Sequence, residues 1–395
     1  MAPQDGPAEQ EGKEAGEEEK PANDCQGCMN ILKSQMVLSG LLVFVPIGYT
    51  VHFMEMDAPI VFGANFLAII PLAWLIGKST EDVSQSVGQT AGGLLNATFG
   101  NLVEMLICVA GIRNNEISVV QCTLLGSILS NLLLVLGTAF LVGGSYYTTQ
   151  TYSQQGAATQ CSLMAMACFA IGLPTIYANI LKQDEEWDHM VSVSRWSSIF
   201  LLFTYCAFLY FQLGTHRALF EDDNEEEEDT ADLSPAAAAV LLGILTVVTC
   251  FQTDFLIESI KGTVESWNVS KEFIGIIMLP IIGNAAEHYT AITVAARNKM
   301  DLSLGVAAGS SCQMALLVTP FTVLVGWVYG IDMSLDFHSF QLAVLMLSVF
   351  LATTILSNGT SNWLEGVMLL VTYLILALIY FFEGNNASTS LATLP

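Results

Sequence analysis

Apolar runs recur along most of the chain, separated by short polar stretches. Each run is about 17–25 residues long, the length that a helix needs to cross the hydrocarbon core of a bilayer. A backbone in lipid must satisfy its own hydrogen bonds, so each run is expected to be helical. The pattern predicts eleven spanning helices, at residues 31–51, 58–77, 88–111, 117–143, 161–181, 194–214, 235–260, 271–296, 302–330, 339–357 and 363–383.

Two acidic segments interrupt the apolar pattern. Residues 1–30 hold eight acidic residues and two lysines, and this composition predicts a disordered tail. Residues 221–232 hold nine acidic residues and no base, and this run either attracts cations to the protein or is a solvated connection. The pattern divides the chain into a tail at 1–30, a separate first helix at 31–51, a five-helix block at 58–214, an acidic linker at 215–234, a second five-helix block at 235–383 and a tail at 384–395.

The composition excludes several other classes of protein. Charged residues make up 12% of the chain, against about 25% in soluble proteins. The net charge of −25 is the wrong sign for a nucleic-acid binder. The sequence contains no phosphate-binding loop, dinucleotide fingerprint or nucleophile constellation, so neither an enzyme nor an ATP-driven pump is indicated. Seven of the twelve lysines and arginines fall on the N-terminal side of the predicted spans, which favours a cytosolic N-terminus.

The two five-helix blocks repeat each other at a fixed spacing. The motif GNLVE at 100–104 recurs as GNAAE at 283–287, and GS at 126–127 recurs at the same spacing as GS at 309–310. We call this distance along the chain, from position 100 to position 283, the repeat spacing. The third and eighth predicted helices carry the two longer motifs, so these helices would run in opposite directions across the membrane. An inverted repeat of this kind is typical of secondary transporters, whose substrate site lies near the bilayer midplane.

Each repeated motif places a glutamate inside an apolar helix. A carboxylate within a membrane is costly and usually marks a functional site. A protonated glutamate bonded to a neighbouring helix is the alternative interpretation, and helix packing explains the motif glycines equally well. Two carboxylates with neutral oxygen ligands suit Ca²⁺, and Mn²⁺ would be tolerated. The candidate metal ligands are Glu104, Glu287, Gly100, Gly283, Asn101 and Asn284.

The same carboxylates provide a reason for proton coupling. Two close acids in a medium of low dielectric repel each other, so protons compete with a metal ion for the site. Transport becomes an exchange if the site is always either protonated or filled with Ca²⁺ when it crosses the membrane. His288 adjoins Glu287, and histidine titrates near neutral pH. His288 is therefore a candidate for sharing the proton, with a packing role as the alternative.

At these residues the chain resembles the cation/proton exchanger (CAX) family of the calcium/cation antiporter superfamily. The resemblance rests on GQTAGGLLNATFGNLVE at 88–104, LLGSILSNLLLVLG at 124–137, the stretch from 274 to 320 and SNWLEG at 361–366. It extends from about residue 70 to residue 383. The combination of GNAAEH and GSSxQxAL makes a vacuolar Ca²⁺/H⁺ exchanger the closest comparison.

The resemblance implies a fold and a function. The fold is an all-α polytopic membrane protein of eleven helices, in which an N-terminal helix precedes two inverted five-helix repeats joined by an acidic segment. The implied function is antiport of Ca²⁺ for H⁺ across a vacuolar or other acidic organelle membrane. Ca²⁺ and H⁺ are then substrates, the bilayer is the surrounding partner, and no cofactor is implied.

The resemblance also implies roles for further residues. Glu81 matches an acidic position connected with proton handling. Asp254 stands where the family usually has a glutamate, and Glu258 stands where it often has an aspartate. The polar residues that would line the pore are Ser127, Asn131, Ser310, Ser311 and Gln313.

Two other functions are compatible with the same residues. An exchanger driven by Na⁺ or K⁺ would keep the two-glutamate site and change only the coupling ion. An ion channel or a Ca²⁺ sensor that uses the acidic run belongs to a different class. Paired buried acids in inverted repeats favour alternating access over a channel.

Overall fold

The computed structural model describes residues 24–87, 89–181, 187–219 and 231–391, and these are almost entirely helical. Most of the acidic tail (1–23), the acidic run at 221–230 and residues 392–395 lie outside the described residues. The α-helices are α1 Asp24–Ser34, α2 Met36–Leu41, α3 Phe44–Phe53, α4 Ala58–Ser86, α5 Gln89–Phe99, α6 Leu102–Arg113, α7 Ile117–Leu129, α8 Leu136–Tyr146, α9 Gln154–Leu181, α10 Trp187–Tyr210, α11 Pro235–Trp267, α12 Lys271–Phe273, α13 Leu279–Gly283, α14 Ala285–Ala296, α15 Met300–Gln313, α16 Thr319–Tyr329, α17 Ser339–Leu356 and α18 Trp363–Leu391.

Shorter elements join several of these helices. The π-helical segments are Ser130–Val135, Phe211–Thr215, Ile274–Met278 and Met314–Val318, and Arg217–Leu219 is a 3₁₀ turn. Two short strands depart from the all-α prediction: β1 (Gln150–Thr151) pairs antiparallel with β2 (Thr360–Ser361). They form because two loops between helices meet and satisfy each other's backbone groups.

The prediction of a helical multi-span membrane protein is confirmed. In the described part of the chain, nine helices are long and apolar enough to span a membrane, or ten if α5 and α6, bent by 44° at their junction, count as one span. The predicted first helix at 31–51 corresponds to a span over Met36–Phe53. The predicted eighth helix at 271–296 is interrupted at Asn284, and each of its two pieces is too short to cross a bilayer alone.

The end of the N-terminal tail differs from the expectation of disorder. Residues 24–30 belong to α1, which docks on the segment that follows the acidic run. The Asp24 carboxylate accepts hydrogen bonds from the Ser234 N–H and hydroxyl, at 2.9 and 3.0 Å. Ile31 and Leu233 are both buried in the same apolar cluster. Burial of these side chains stabilises a helix that the polar composition alone would not.

The helix boundaries recur at the repeat spacing of the sequence motifs. This spacing relates both ends of α6 (102–113) to both ends of α14 (285–296). The loops after them each contain an asparagine with positive φ, Asn115 at 56° and Asn298 at 61°, a conformation that asparagine tolerates better than most residues. The same spacing relates the first residues of α7 and α15, Ile117 and Met300, and the last residues of α8 and α16, Tyr146 and Tyr329.

α11 joins two sets of ionic contacts that define the faces of the protein. Near its start, Lys78 Nζ lies 3.4 Å from Asp232 Oδ2, and this side is the N-terminal face. Beyond its end, Lys271 pairs with Glu116, and this side is the opposite face. A helix of 33 residues is about 50 Å long at 1.5 Å per residue, which is enough to cross a membrane.

α6 lies between the two main apolar clusters. Ile107 belongs to the cluster built largely from α4 and α11. Cys108, the next residue, belongs to the cluster built from α7, α8, α15 and their neighbours. The helix that carries the GNLVE motif is therefore fixed on both sides, near the centre of the molecule.

α8 and α18 cross at glycines that allow their backbones to touch. A Cβ atom built on Gly366 would lie 2.4 Å from the Leu141 nitrogen, and one on Gly144 would lie 2.4 Å from the Trp363 nitrogen. Small residues at such crossings are how helices in membranes approach closely.

We predict that Gly366→Leu destabilises the protein, because the larger side chain must force α8 and α18 apart. Overpacking of this kind costs about 1–3 kcal/mol, so the apparent Tm of the detergent-purified protein should fall. Gly243→Leu is the matched control, since a Cβ at Gly243 meets no atom within 4 Å. Equal Tm values for the two variants would contradict this account of the crossing.

Candidate cation site

Both motif helices break just before the segment that carries the glutamate. Gly100 and Asn101 separate α5 from α6, and Asn284 alone separates α13 from α14. Asn101 has φ −102° and ψ 22°, and Asn284 has φ −87° and ψ 17°. Each glutamate is then the third residue of a new helix, where the positive end of the helix dipole favours a negative charge.

The two motifs meet inside the protein. Glu104 is 1% exposed, and a Cβ atom built on Gly283 would lie 3.1 Å from Glu104 Oε1. The carboxylate of the first motif therefore packs directly against the break in the second, and a larger residue at position 283 would press on this carboxylate. Gly283 precedes Glu287 by four residues, so the Glu104 carboxylate lies at the break that leads into the helix of Glu287.

Neither glutamate is neutralised by a protein donor in the described residues. Both oxygen atoms of Glu104, and Oε2 of Glu287, are buried without a hydrogen-bond partner there. Such a group is costly unless something pairs with it. The arrangement therefore suits a ligand that brings positive charge, such as a metal ion or protons on the carboxylates.

Each break is held by a helix from the other half of the chain. The Asn101 amide nitrogen donates to Gln313 Oε1 at 2.5 Å. The Ser127 hydroxyl donates to Asn284 Oδ1 at 2.8 Å, and the Asn284 amide nitrogen donates to the Ser127 carbonyl at 3.2 Å. Gln313 ends α15 and Ser127 lies in α7, so four helical segments converge on the glutamates.

The remaining predicted pore residues lie on the same two spans. Ser310 and Ser311 are buried in α15, and the Ser311 hydroxyl donates to the Ala307 carbonyl at 3.0 Å. Asn131 is fully buried, and neither of its amide atoms has a partner among the described residues. A π-helical segment contains Asn131, and another follows Gln313 directly. Single π-turns of this kind occur frequently at functional sites.

The site is more accessible from one side than from the other. Glu287 is only partly buried, whereas Glu104 is sealed. Gly100, at the first break, is exposed, whereas Gly283, at the second, is buried. His288 lies beside Glu287 in the chain, and its Nε2 is 3.0 Å from the Thr138 hydroxyl. Sequence reasoning missed Thr138 because no motif marks it.

The other acidic residues lie away from the two glutamates. Glu81 is paired with Lys78 at 3.3 Å on the N-terminal face. Asp254 is paired with Arg113 at 2.8 Å, and Glu258 is exposed on α11. In the part of the chain that the structure describes, no hydrogen bond or ion pair links these three acids to Glu104 or Glu287. Their roles in proton handling stay predictions.

The donor set consists of two carboxylates and neutral oxygens. Among the described residues, no group of three or more His, Cys, Asp or Glu side chains is arranged to hold a metal ion. Any bound cation would therefore rely on the two glutamates, on amide and hydroxyl oxygens, and on carbonyls at the helix breaks. A hard cation such as Ca²⁺ accepts this mixture of oxygen ligands.

The sequence model described as sodium/calcium exchanger protein matches residues 58–214 and 236–382. The chain belongs to this exchanger family. It is 41% identical over 367 residues to a Ca(2+)/H(+) antiporter of Aphanothece halophytica, covering 89% of this chain and 98% of that protein. It is also 41% identical over 345 residues to a vacuolar calcium ion transporter of Schizosaccharomyces pombe, covering 87% of this chain and 84% of that protein.

Solved structures of exchangers share the fold. Native YfkE superposes with a TM-score of 0.76 at 31% identity, over 88% of this chain and 99% of that one. An H⁺/Ca²⁺ exchanger called CAX superposes with a TM-score of 0.66 at 13% identity, over 90% of this chain and 94% of that one, and this second likeness concerns the fold alone. The resemblance recognised in the sequence is confirmed.

We predict that Asn284→Ala destabilises the protein, because the variant loses both hydrogen bonds to Ser127 and leaves buried groups unpaired. The loss of such a pair costs about 1–3 kcal/mol, and the apparent Tm should fall accordingly. Asn96→Ala is the matched control, since Asn96 is exposed one turn before the first break. An unchanged Tm in Asn284→Ala would show that Ser127 does not hold the second break.

Proposed function

We propose that the protein is a secondary antiporter that exchanges Ca²⁺ for H⁺ by alternating access. The observation that carries this proposal is the contact between the two motifs, in which the Glu104 carboxylate lies against Gly283 at the break before Glu287. Relatives of about 40% identity named as Ca²⁺/H⁺ antiporters and vacuolar cation/proton exchangers support it.

Ca²⁺ is the ion that the donor set suits best. Two carboxylates supply a charge of −2, which balances one divalent cation. Flexible helix breaks supply the variable oxygen geometry that Ca²⁺ accepts, whereas Mg²⁺ requires a near-ideal octahedron and keeps its waters. Mn²⁺ accepts carboxylate, carbonyl and water ligands, so we include it as a second transported ion. The ligands in this proposal are the two glutamates with Asn101, Asn284 and the carbonyls near Gly100 and Gly283.

Two inverted five-helix repeats after a separate first helix are part of the proposal. The family model matches twice in one chain, and the repeat spacing relates the helix ends at 102 and 113 to those at 285 and 296. Both observations support a duplicated unit. If α12–α14 cross the membrane as one broken helix, the spans number eleven and the two units have opposite orientations.

Protons compete with Ca²⁺ for the glutamates in this mechanism. The carboxylates lack protein donors in the described residues, so an empty site would carry two unpaired charges into the membrane. A cation or protons must fill it before the protein changes conformation, and this requirement couples the two fluxes. In this proposal His288, which adjoins Glu287 in the chain, shares a proton with it. The proposed path is lined by Ser127, Asn131, Ser310, Ser311 and Gln313.

The membrane is that of an acidic organelle, such as a vacuole, with the N-terminal face toward the cytosol. The outward proton gradient of such a compartment drives Ca²⁺ inward from the cytosol. Vacuolar transporters and exchangers among the relatives support this location. Glu81 then faces the cytosol, while Asp254 and Glu258 lie toward the lumen.

The deciding experiment is Ca²⁺ uptake by purified protein in proteoliposomes with an acidic interior. We expect uptake that a protonophore abolishes and that is independent of Na⁺ and K⁺. Uptake that requires a Na⁺ or K⁺ gradient would favour the cation-driven exchanger instead. Flux without coupling to any second ion would indicate a channel.

We predict that Glu104→Gln and Glu287→Gln each reduce exchange in this assay to the level of empty liposomes. Glutamine keeps the volume but removes half of the negative charge, and with it most of the attraction for a divalent cation. Glu265→Gln, at an exposed position on α11, is the matched control and should retain exchange. Wild-type rates in either site variant would refute the two-glutamate site.

We also predict that acidification of the N-terminal face weakens apparent Ca²⁺ affinity. A proton on either carboxylate halves the charge of the site, and the pair should titrate as a coupled unit. The measurement is the Ca²⁺ concentration for half-maximal uptake between about pH 5.5 and pH 8, a range that includes the reference value for histidine. An affinity that stays constant over this range would contradict direct competition.

A further inference from the structure

Closely packed glycines seal the site on the opposite face. There the π-helical segment Ile274–Met278 crosses α7, and both contain a glycine at the crossing. A Cβ atom built on Gly275 would lie 2.5 Å from Cys122 Cβ, and one on Gly126 would lie 2.4 Å from the Ile276 carbonyl oxygen. The two backbones therefore touch, and this contact lies between Glu104 and the opposite face.

The repeat places glycines at all four corresponding positions on the N-terminal face. The repeat spacing relates Gly275 and Ile276 to Gly92 and Gly93 of α5. It also relates Cys122 and Gly126 to Gly305 and Gly309 of α15. Gly92 and Gly93 belong to the helical segment before the first break, and Gly305 and Gly309 belong to α15, which holds that same break through Gln313.

These four glycines are not in contact with one another in this structure. A Cβ atom at Gly305 would meet no atom within 4 Å, and one at Gly309 would meet only Gln160 Nε2, at 3.8 Å. Gly92 lies instead against the Ser84 carbonyl, and Gly93 lies against Leu213. The two halves thus show one crossing closed and its counterpart open.

The two crossings also differ in solvent exposure, and again the crossing on the opposite face is the more closed. Eight of the ten residues from 274 to 283 are buried, whereas Gly92 is the only buried residue from 91 to 100. α5 is bent by 44° from α6, and the exposed Gly100 lies at this bend. Glu287 is partly accessible in this open arrangement, whereas Glu104 is sealed.

We propose that Gly92, Gly93, Gly305 and Gly309 form the contact that closes the N-terminal face. α5 swings about Gly100 and Asn101, leaves Ser84 and Leu213, and lies on α15 as Ile274–Met278 lies on α7. The inference rests on the proposed function, because it describes the second state of an alternating-access cycle. With no side chains at the crossing, the backbones make contact directly.

Closure of the N-terminal face depends mainly on its glycine contact. Closure of the opposite face depends less on the corresponding contact there. The opposite face is also tied by the ion pair between Arg113 and Asp254. The counterparts of these two residues at the repeat spacing are Ala296 and Pro71, which cannot form an ion pair. A side chain added at Gly309, whose counterpart Gly126 meets the Ile276 backbone, should therefore prevent closure.

The first test is Gly309→Ala, assayed for Ca²⁺ uptake in proteoliposomes and for thermal stability. The added methyl group fits the open state, where it meets only Gln160 Nε2 at 3.8 Å. In the closed state it collides with the Gly93 carbonyl, as a Cβ atom on the counterpart Gly126 would lie 2.4 Å from the Ile276 carbonyl oxygen. We expect uptake to fall by about tenfold or more, with an unchanged Tm and retained Ca²⁺ binding.

Two control variants should transport normally. Gly305→Ala is the first, because its counterpart Cys122 carries a side chain in the closed crossing. Gly243→Ala is the second, at a helical glycine with nothing within 4 Å. Normal uptake by Gly309→Ala would overturn the proposal.

The second test joins the two sides of the crossing directly. Gly92→Cys with Gly305→Cys should form a disulfide under mild oxidation, identified by mass spectrometry because the chain has nine native cysteines. A disulfide requires Cα atoms within about 7 Å, so the link reports closure independently of transport. Gly92→Cys with Gly243→Cys is the control pair and should not link.

The two proposals can fail separately. If the wild-type protein shows no Ca²⁺/H⁺ exchange but the link between positions 92 and 305 forms, the proposed function fails and the closing contact stands. If the wild-type protein exchanges Ca²⁺ for H⁺ but that link does not form, the closing contact is wrong.

Discussion

The structure is organised around the cost of holding two carboxylates inside an apolar protein. Glu104 is almost completely buried, and neither of its oxygens has a partner in the described residues. Each glutamate lies in the first turn of a half-helix, so the helix dipole favours its charge, but the dipole alone does not compensate for two close anions. The remaining charge must be brought by a substrate. The substrate needs room, and water must be kept out of one side of the site. These two requirements account for the broken helices, the asparagines at the breaks and the glycine where the two motifs meet.

This constraint also explains why the two halves are similar in sequence but different in conformation. A site that is reached from both faces at once would be a pore, and a site sealed on both faces would never exchange its contents. Two copies of one broken helix solve the problem when one copy packs tightly and the other is open. The buried stretch from 274 to 283 and the accessible stretch from 91 to 100 are these two copies. In the proposed alternating-access cycle, a change of state needs only an exchange of their packing, with little change in the glutamates themselves.

The sequence predicts features that depend on local pattern, but it does not predict contacts between residues that are far apart in the chain. Apolar run lengths, the GNxxE spacing and the repeat spacing are all readable from the chain, and they locate both glutamates and both breaks. The side chains that hydrogen-bond to the asparagines at the breaks cannot be identified from the sequence. Asn101 is bonded to Gln313, whereas its counterpart Asn284 is bonded to Ser127, because packing across the two halves selects the partner. The helix at 24–30 was missed for a similar reason, since Ile31 is buried in a cluster with Leu233, which lies far along the chain.

The distribution of ion pairs bears on which state the protein rests in. On the opposite face, the Arg113–Asp254 and Lys271–Glu116 ion pairs join segments that separate in the proposed cycle when that face opens. Partly exposed pairs of this kind contribute about 0–1 kcal/mol each, so together they favour the arrangement open to the N-terminal face by a modest factor. Under the proposed function the N-terminal face is cytosolic, and the site binds a scarce ion, Ca²⁺, from that side. Apparent affinity falls when the state that binds the ion is rarely populated. A protein that rests in the state open to the scarce ion avoids this loss.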